Sequence, residues 1–331
     1  MALNWGIISA GKISHDFVNA LGTLTDHHRV VAVAARDLYR AKEFARLHDI
    51  VKYYETYEDL ANDPTVEVVY IGCLNPQHFA VAMLMLENGK HVLCEKPLCI
   101  NEREVRKLVT LAEERKLFLM EAVKSRFYPS YQYLRQQIES GNLGEIQQVN
   151  VTMGSPIAHV ERMAKNELGG GVVLDLGVYT IQLCQWIFQK YPQSIQATGT
   201  LNSDGVDLTM KATLTYSDTA FATIETSAME TLNNQAVIKG SKGQMILYNI
   251  ASAIQLVDVD NETKSWTLPE AKHKFNFRNN FGLIYEAEEV RRCIRSGRLQ
   301  STTMSLDESL TIVRIQDEIR KQIGVIYKAD E

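Results

Sequence analysis

Leu3-Asn4-Trp5-Gly6-Ile7-Ile8-Ser9-Ala10-Gly11-Lys12-Ile13-Ser14 is the stretch from which the fold can be read outward. An apolar run stops at a turn of small residues, and Ile13, Phe17, Leu21 and Leu24 then recur at helical spacing. The stretch predicts strand, tight turn, helix. A dinucleotide fingerprint would read Gly-x-Gly-x-x-Gly here; this chain reads Ser9-x-Gly11-x-x-Ser14. The surviving central glycine is the one that lets backbone approach a pyrophosphate at a helix N-terminus. Serine at the outer positions is small enough to leave the turn open. A generic strand-to-helix turn reads the same way, so the weight falls on the downstream strands.

Those strands alternate with helices. Residues 30–35 are continuously apolar, as a parallel strand covered on both faces requires. The run ends at Arg36-Asp37, with Arg40 close behind. NAD-binding sheets place an acidic residue at this strand end to accept from the ribose hydroxyl. An arginine there suits a 2′-phosphate and can stack on adenine. The reading favours NADP(H) over NAD(H); the alternative is two solvated charges opening a helix over 38–48. A short helix over 57–61 precedes Asp63-Pro64. Then come a strand over 66–71, a turn through Asn75-Pro76, a helix over 77–88 closed by Gly89, a strand over 91–94, a helix over 102–115 and a strand over 117–122. Such alternation predicts an open parallel sheet with helices on both faces, whose ligands bind beyond the carboxyl ends of the strands. Ser9, Arg36, Tyr70, Asn75, Lys96 and Glu121 fall at or just after those ends. The run His91-Val92-Leu93-Cys94-Glu95-Lys96-Pro97 puts a lysine there, and lysine is rarely buried unless paired. The bland alternative is a strand end with a solvated lysine.

After about residue 125 the alternation breaks. Strands over 146–153, 194–201, 208–216, 220–228, 235–240, 244–249 and 254–259 succeed one another without long crossovers, which predicts antiparallel pairing. Helices are expected over 129–140, 174–189, 285–295 and 305–324. The helix from 174 comes after Gly169-Gly170-Gly171 and sets Asp175 and Tyr179 four residues apart, on one face. Alone, these two also read as a buried polar pair in a packing helix. The expected fold class is α/β: a Rossmann doubly wound parallel sheet over 1–125, then an α+β domain over 126–331 with an open, mostly antiparallel sheet.

Composition fits two soluble domains: 331 residues, 45% hydrophobic and 23% charged. A net charge of -5 speaks against a nucleic-acid partner. The N-terminus enters an apolar strand without the basic segment of a signal peptide. The most apolar window, 68–86, is broken by Asn75-Pro76-Gln77-His78, so no membrane span is expected. Five cysteines (73, 94, 99, 184 and 293) are odd in number and lack a CxxC pair, which reads as reduced thiols in a cytoplasmic protein. Eight histidines without HxxxH spacing predict no metal.

With these residues in hand, the sequence resembles the glucose-fructose oxidoreductase / inositol dehydrogenase (Gfo/Idh/MocA) family. The likeness rests on the turn over 9–14, on Glu95-Lys96-Pro97, and on Gly170-Gly171-Val172-Val173-Leu174-Asp175-Leu176-Gly177-Val178-Tyr179, and it runs the length of the chain. Most members carry histidine four residues after the aspartate. Tyr179 stands there here, as in the branch that oxidises trans-dihydrodiols of aromatic hydrocarbons. The resemblance implies NADP-dependent hydride transfer at a secondary alcohol or carbonyl of a dihydrodiol, an aldose such as D-xylose, or a dicarbonyl. It implies a cofactor site from Ser9, Gly11, Ile13, Arg36, Arg40, Tyr70, Asn75, His78, Glu95 and Lys96, and a homodimer through the C-terminal sheet. Lys96, Asp175 and Tyr179 would line the reaction centre. Tyrosine ionises near pH ~10 and is a poor base at neutrality, but a nearby ammonium favours the phenolate. The expected roles are Tyr179 as general base, Lys96 as its electrostatic partner and substrate donor, and Asp175 as an orienting group.

The diol-oxidising branch carries tryptophan at the position of Lys124, phenylalanine at about Met153 and another tryptophan near Ala253. Lys124, Arg126 and Met153 are therefore the expected substrate contacts. A cation in place of an aromatic ring implies a more polar or anionic substrate, unless Lys124 points to solvent. Gln147 stands where the family's dimer contact has an arginine. The family also contains transcriptional co-repressors, so an NADP(H)-sensing protein without turnover is the alternative function.

Overall fold

The computed structural model describes residues 2–331 and divides into two compact units. The first comprises residues 2–98, Arg103–Lys124 and Leu268–Leu306. Its strands are β1 (Leu3–Ile8), β2 (His28–Ala34), β3 (Lys52–Tyr54), β4 (Val68–Ile71), β5 (His91–Glu95) and β6 (Leu119–Ala122). They run in parallel in the order β3-β2-β1-β4-β5-β6. The chain reverses direction across the sheet between β1 and β4, which is where a doubly wound sheet opens its ligand crevice. Helices α1 (Lys12–Leu21), α2 (Leu38–Leu47), α3 (Tyr57–Ala61), α4 (His78–Glu87) and α5 (Glu102–Arg115) make the crossovers. The all-apolar strand interiors explain the burial: Val68, Val69, Val92, Leu93, Leu119 and Met120 are inaccessible. Only β3 was missed, because Lys52-Tyr53-Tyr54 is three residues long and partly exposed.

A single cut near 125 does not describe the division. Leu268–Leu306 belongs to the first unit and straps helix α1. Asn19 donates through Nδ2 to His273 O (2.7 Å) and accepts from His273 N (2.9 Å). The buried carboxylate of Asp16 accepts from Asn276 N (2.8 Å), Phe277 N (3.0 Å) and Asn280 Nδ2 (2.8 Å). The rings of His15, His48 and His273 cluster with centroids 4.8–5.9 Å apart, and burial, then His15 and His273, push the His48 imidazole down to about 4. Helix α9 (Leu283–Arg295) comes next, with Glu288 accepting from His28 at 2.6 Å. These anchors are polar residues with loop-like local sequence, so periodicity could not reveal them.

The second unit comprises Cys99–Glu102, Ser125–Thr267 and Asp307–Glu331. Its strands are β7 (Ile146–Gly154), β8 (Ser194–Leu201), β9 (Asp207–Ser217), β10 (Ala220–Ser227), β11 (Gln235–Gly240), β12 (Gly243–Tyr248), β13 (Gln255–Val257) and β14 (Thr263–Ser265). The order is β14-β13-β12-β11-β7-β10-β9-β8, antiparallel throughout except for the parallel pair β7 and β10. Period-two alternation gives the sheet two faces. Val149, Val151, Met210, Ala212, Leu214, Ala222 and Ile224 are buried on the face that packs helix α8 (Val178–Phe188). Asn150, Thr152, Thr213, Thr223 and the ion pair Lys211–Glu225 (2.8 Å) lie on the other. Helices α6 (Pro129–Glu139), α7 (Glu161–Ala164) and α10 (Leu306–Ile323) complete the element set.

Candidate active site

In the first unit the ends of β1, β2, β4 and β5 carry the cofactor-site candidates. Ser9 takes a left-handed conformation (φ 82°) that the first fingerprint glycine would adopt without strain. Gly11 caps α1 in extended backbone, so the first N–H groups of the helix are free of a side-chain cap. At the third fingerprint position, the roles are exchanged. Ser14 stands against Gly72 at the end of β4, where an added Cβ would lie 2.6 Å from Ser14 Oγ. The close helix-to-strand packing that the fingerprint obtains from a helical glycine is obtained here from a glycine on the strand side. Ile13 is half-buried beside them. These features fit a pyrophosphate at the α1 N-terminus.

Arg36 and Arg40 are exposed at the end of β2, and Arg40 Nη2 donates to Ala10 O at 3.3 Å. Asp37, the acidic residue of this strand end, is occupied: it caps α2 by accepting from Tyr39 N (2.9 Å) and Arg40 N (3.2 Å). The carboxylate at this strand end is therefore engaged as a helix cap, while two guanidiniums lie exposed beside it. Tyr57 of α3 lies within electrostatic range of both arginines and of Cys73, with its phenol raised chiefly by burial. The sequence reading passed over Tyr57, since a tyrosine opening a short helix carries no signal of its own.

The Lys96 turn is braced from behind. Lys96 is half-buried, Lys96-Pro97 is a cis peptide, and Lys96 N donates to Glu95 Oε2 at 3.3 Å. His78 sets Nδ1 2.8 Å from Pro97 O and Nε2 3.1 Å from Cys73 O, and Glu121 accepts from Leu98 N at 3.0 Å. Asn75 is half-buried in the same turn region. Tyr70 and His78, expected in the cofactor site, lie buried beneath this turn. They are 0% and 1% exposed, and Tyr70 stacks on Phe17 (3.9 Å between centroids) while its hydroxyl donates to Glu95 Oε1 at 2.6 Å. A side chain with no accessible surface supports a site rather than lining it.

Lys124 and Arg126, expected as substrate contacts, are both buried among polar partners. Lys124 points neither to solvent nor to an open pocket: it is buried, donates to Asn280 Oδ1, and has Glu95 and Glu286 as nearby opposite charges. Burial pulls its ammonium down against those carboxylates, and burial raises Glu286 and Glu95 in turn. Lys124 therefore sits in a buried polar cluster with two carboxyl groups. Arg126, in the second unit, is 0% exposed and pairs with Glu308 (2.8 Å) and Gln182 (3.1 Å). A charge withdrawn this far persists because it is paired. Met153 is half-buried and shares the helix-covered sheet face with Val149 and Val151.

In the second unit the Gly170–Tyr179 motif does not begin as an α-helix. Val173–Gly177 form a π turn, and α8 starts at Val178. Extra-wide turns of this kind recur at functional sites. The carboxylate of Asp207 accepts from Val173 N at 2.7 Å and fixes the turn's entry. Burial pushes Asp207 up to about 7. Asp175 and Tyr179 are 8% and 7% exposed. Asp175 is held by Arg162 of α7, Nη1 to Oδ1 at 3.0 Å and Nη2 to Oδ2 at 3.3 Å. The sequence reading missed Arg162, which sits in a four-residue helix with no periodicity to mark it.

Comparison with known proteins matches both parts of the chain up to residue 246. Residues 3–123 match the model of the GFO/IDH/MocA oxidoreductase family with its NAD-binding Rossmann fold, and residues 131–246 match the GFO/IDH/MocA C-terminal domain. The chain is similar to the trans-1,2-dihydrobenzene-1,2-diol dehydrogenases of Xenopus laevis (42% identical, covering 99% of this chain and 100% of the relative) and Homo sapiens (43%, 100% of both). Among solved structures it resembles levoglucosan dehydrogenase in complex with NADH and levoglucosan, with a TM-score of 0.85, 19% identity and 98% of each chain covered. That likeness is one of fold.

Proposed function

Because the chain belongs to the Gfo/Idh/MocA family of oxidoreductases, we propose that it is an NADP-dependent dehydrogenase of a trans-dihydrodiol or an aldose such as D-xylose, or in reverse a dicarbonyl reductase. The observation that carries this reading is the 40–43% identity over full length to relatives named as dihydrodiol dehydrogenases. The exposed Arg36 and Arg40, with Asp37 engaged as a helix cap, support NADP over NAD.

When bound, NADP supplies the hydride acceptor. The chain's own residues handle the proton. Tyr179 Oη takes it from the substrate hydroxyl, Lys96 Nζ donates to the substrate oxygen and favours the phenolate, and Asp175 orients the substrate or the lysine. These roles rest on the sequence motifs. A cytoplasmic location accords with five free thiols, and a homodimer is proposed through the polar outer face of the second unit's sheet.

The test is reduction of NADP+ with a benzene dihydrodiol and with D-xylose, NAD+ in parallel. We expect turnover with NADP+ and at least about tenfold poorer use of NAD+. Equal use of both would end the assignment to Arg36. Lys96→Met should lower turnover about a hundredfold while NADP+ still binds; unchanged turnover would remove Lys96 from the mechanism. Tight NADPH binding without turnover on any of these substrates would favour a cofactor-sensing protein instead.

A further inference from the structure

The double glycine before the π turn has a physical purpose that leads to a residue outside the motif. An added Cβ on Gly170 would stand 2.5 Å from Met163 O and 2.9 Å from Arg162 O. The backbone of α7 therefore lies directly on Gly170, and Gly171 N donates to Met163 O at 3.1 Å. That approach brings Arg162 onto Asp175 through both oxygens, a fork geometry available to arginine and not to lysine. The Asp175 side chain is 11% exposed and that of Arg162 is 42% exposed, so the guanidinium joins the buried carboxylate to the open side. Asp175 first, and the Tyr179 phenol after it, hold the guanidinium above its ordinary value, which puts Arg162 within electrostatic range of Tyr179.

We propose that Arg162 is a positioning residue of the dehydrogenase: it locks the Asp175 carboxylate in a fixed fork and sets a permanent positive charge near the Tyr179 hydroxyl. The inference rests on the proposed reaction for its meaning and on this geometry for its content. Arg162 from α7 and Asp175 from the π turn form one two-point ion pair on the motif that also carries Tyr179. An ion pair fixed this way keeps Asp175 from acting as a bare negative charge that would disfavour the phenolate. The fork thus leaves the motif of the second unit without an unbalanced carboxylate charge at Asp175.

The experiment is a titration of Tyr179 followed by the 13Cζ resonance of labelled tyrosine, assigned with Tyr179→Phe, in the full-length protein. It is run for the wild type, Arg162→Lys and Arg162→Met, beside the pH profile of kcat/KM with NADP+ and a dihydrodiol. In Arg162→Met the midpoint of the phenol should move up by about one pH unit, and the rising limb of the profile with it. Arg162→Lys should recover part of the shift, because charge returns without the fork. An unmoved resonance in Arg162→Met, with the thermal midpoint preserved, overturns the proposal. If Arg162→Met unfolds, Arg162→Lys alone decides, an unmoved midpoint counting against. A shifted resonance in a protein that turns over none of the substrates would sink the proposed function and leave the electrostatic role of Arg162 standing.

Discussion

The two turns that carry the candidate site treat glycine in opposite ways. The turn over 9–14 has lost two of three fingerprint glycines, and its geometry absorbs the loss: Ser9 tolerates φ 82°, and Ser14 faces a glycine across the gap. The turn over 169–171 has no such freedom. Gly171 has φ 108°, and an added Cβ would stand 2.1 Å from Asp207 Oδ1; at Gly170 the obstacle is the α7 backbone. Glycine is dispensable where its job is to be small at one point in an open turn. It is indispensable where backbone or a buried carboxylate already fills the Cβ position.

Three measurements sharpen or break this contrast. The largest effect is expected from Gly171→Ala. Strain at φ 108° and the clash with Asp207 should together cost about 3–4 kcal/mol in urea unfolding, and a loss under about 1 kcal/mol would show that the turn relaxes. Acid should act next, with opposite sign at the second turn and at the histidine cluster beside α1. Asp207 has its folded value raised from 3.8 to about 7, so the folded state binds its proton first, and protection at the second turn should rise as pH falls from 7 towards 4. His48 is lowered from 6.5 to about 4, so the unfolded state binds more protons in that window. The contribution from the histidine cluster at α1 is present above 6.5 and lost as pH falls towards 4. Hydrogen exchange at Val173 and Asp175 compared with His15 and His273 reads both signs in one experiment. Trends of the same sign at the turn and at the cluster would refute the assignment. The smallest effect is Ser9→Gly, expected to stabilise by roughly 0.5–1 kcal/mol through relief of the left-handed serine.

The sequence exposed the architecture where side-chain pattern and backbone need coincide. Parallel strands buried on both faces read as unbroken apolar runs, so β1, β2, β4, β5 and β6 were legible. The sheet of the second unit, except its three-residue edge strand β14, was legible from alternation and short connections. Three things were not. The parallel pairing of β7 with β10 depends on which strands neighbour in space, which local pattern does not encode. The commitment of Arg126 and Lys124 to buried partners is invisible because a charge reads the same whether it meets solvent or a carboxylate. The membership of 268–306 in the first unit is carried by Asn19, Asp16 and backbone groups of a polar stretch. At the candidate site, the positions of Lys96, Asp175 and Tyr179 at a strand end and a helix start were read from sequence, while their bracing by His78 and Arg162 was not.

The strap also bears on how the chain is made. A ribosome releases the first sheet early, yet α1 lacks the partners of Asp16 and Asn19 until residues 273–280 emerge. Between those moments the whole sheet of the second unit is synthesised. Helix α1, made before most of these residues, is therefore among the last elements to be completed. Buried acid and amide groups on α1 remain open to water, or to a chaperone, for most of translation.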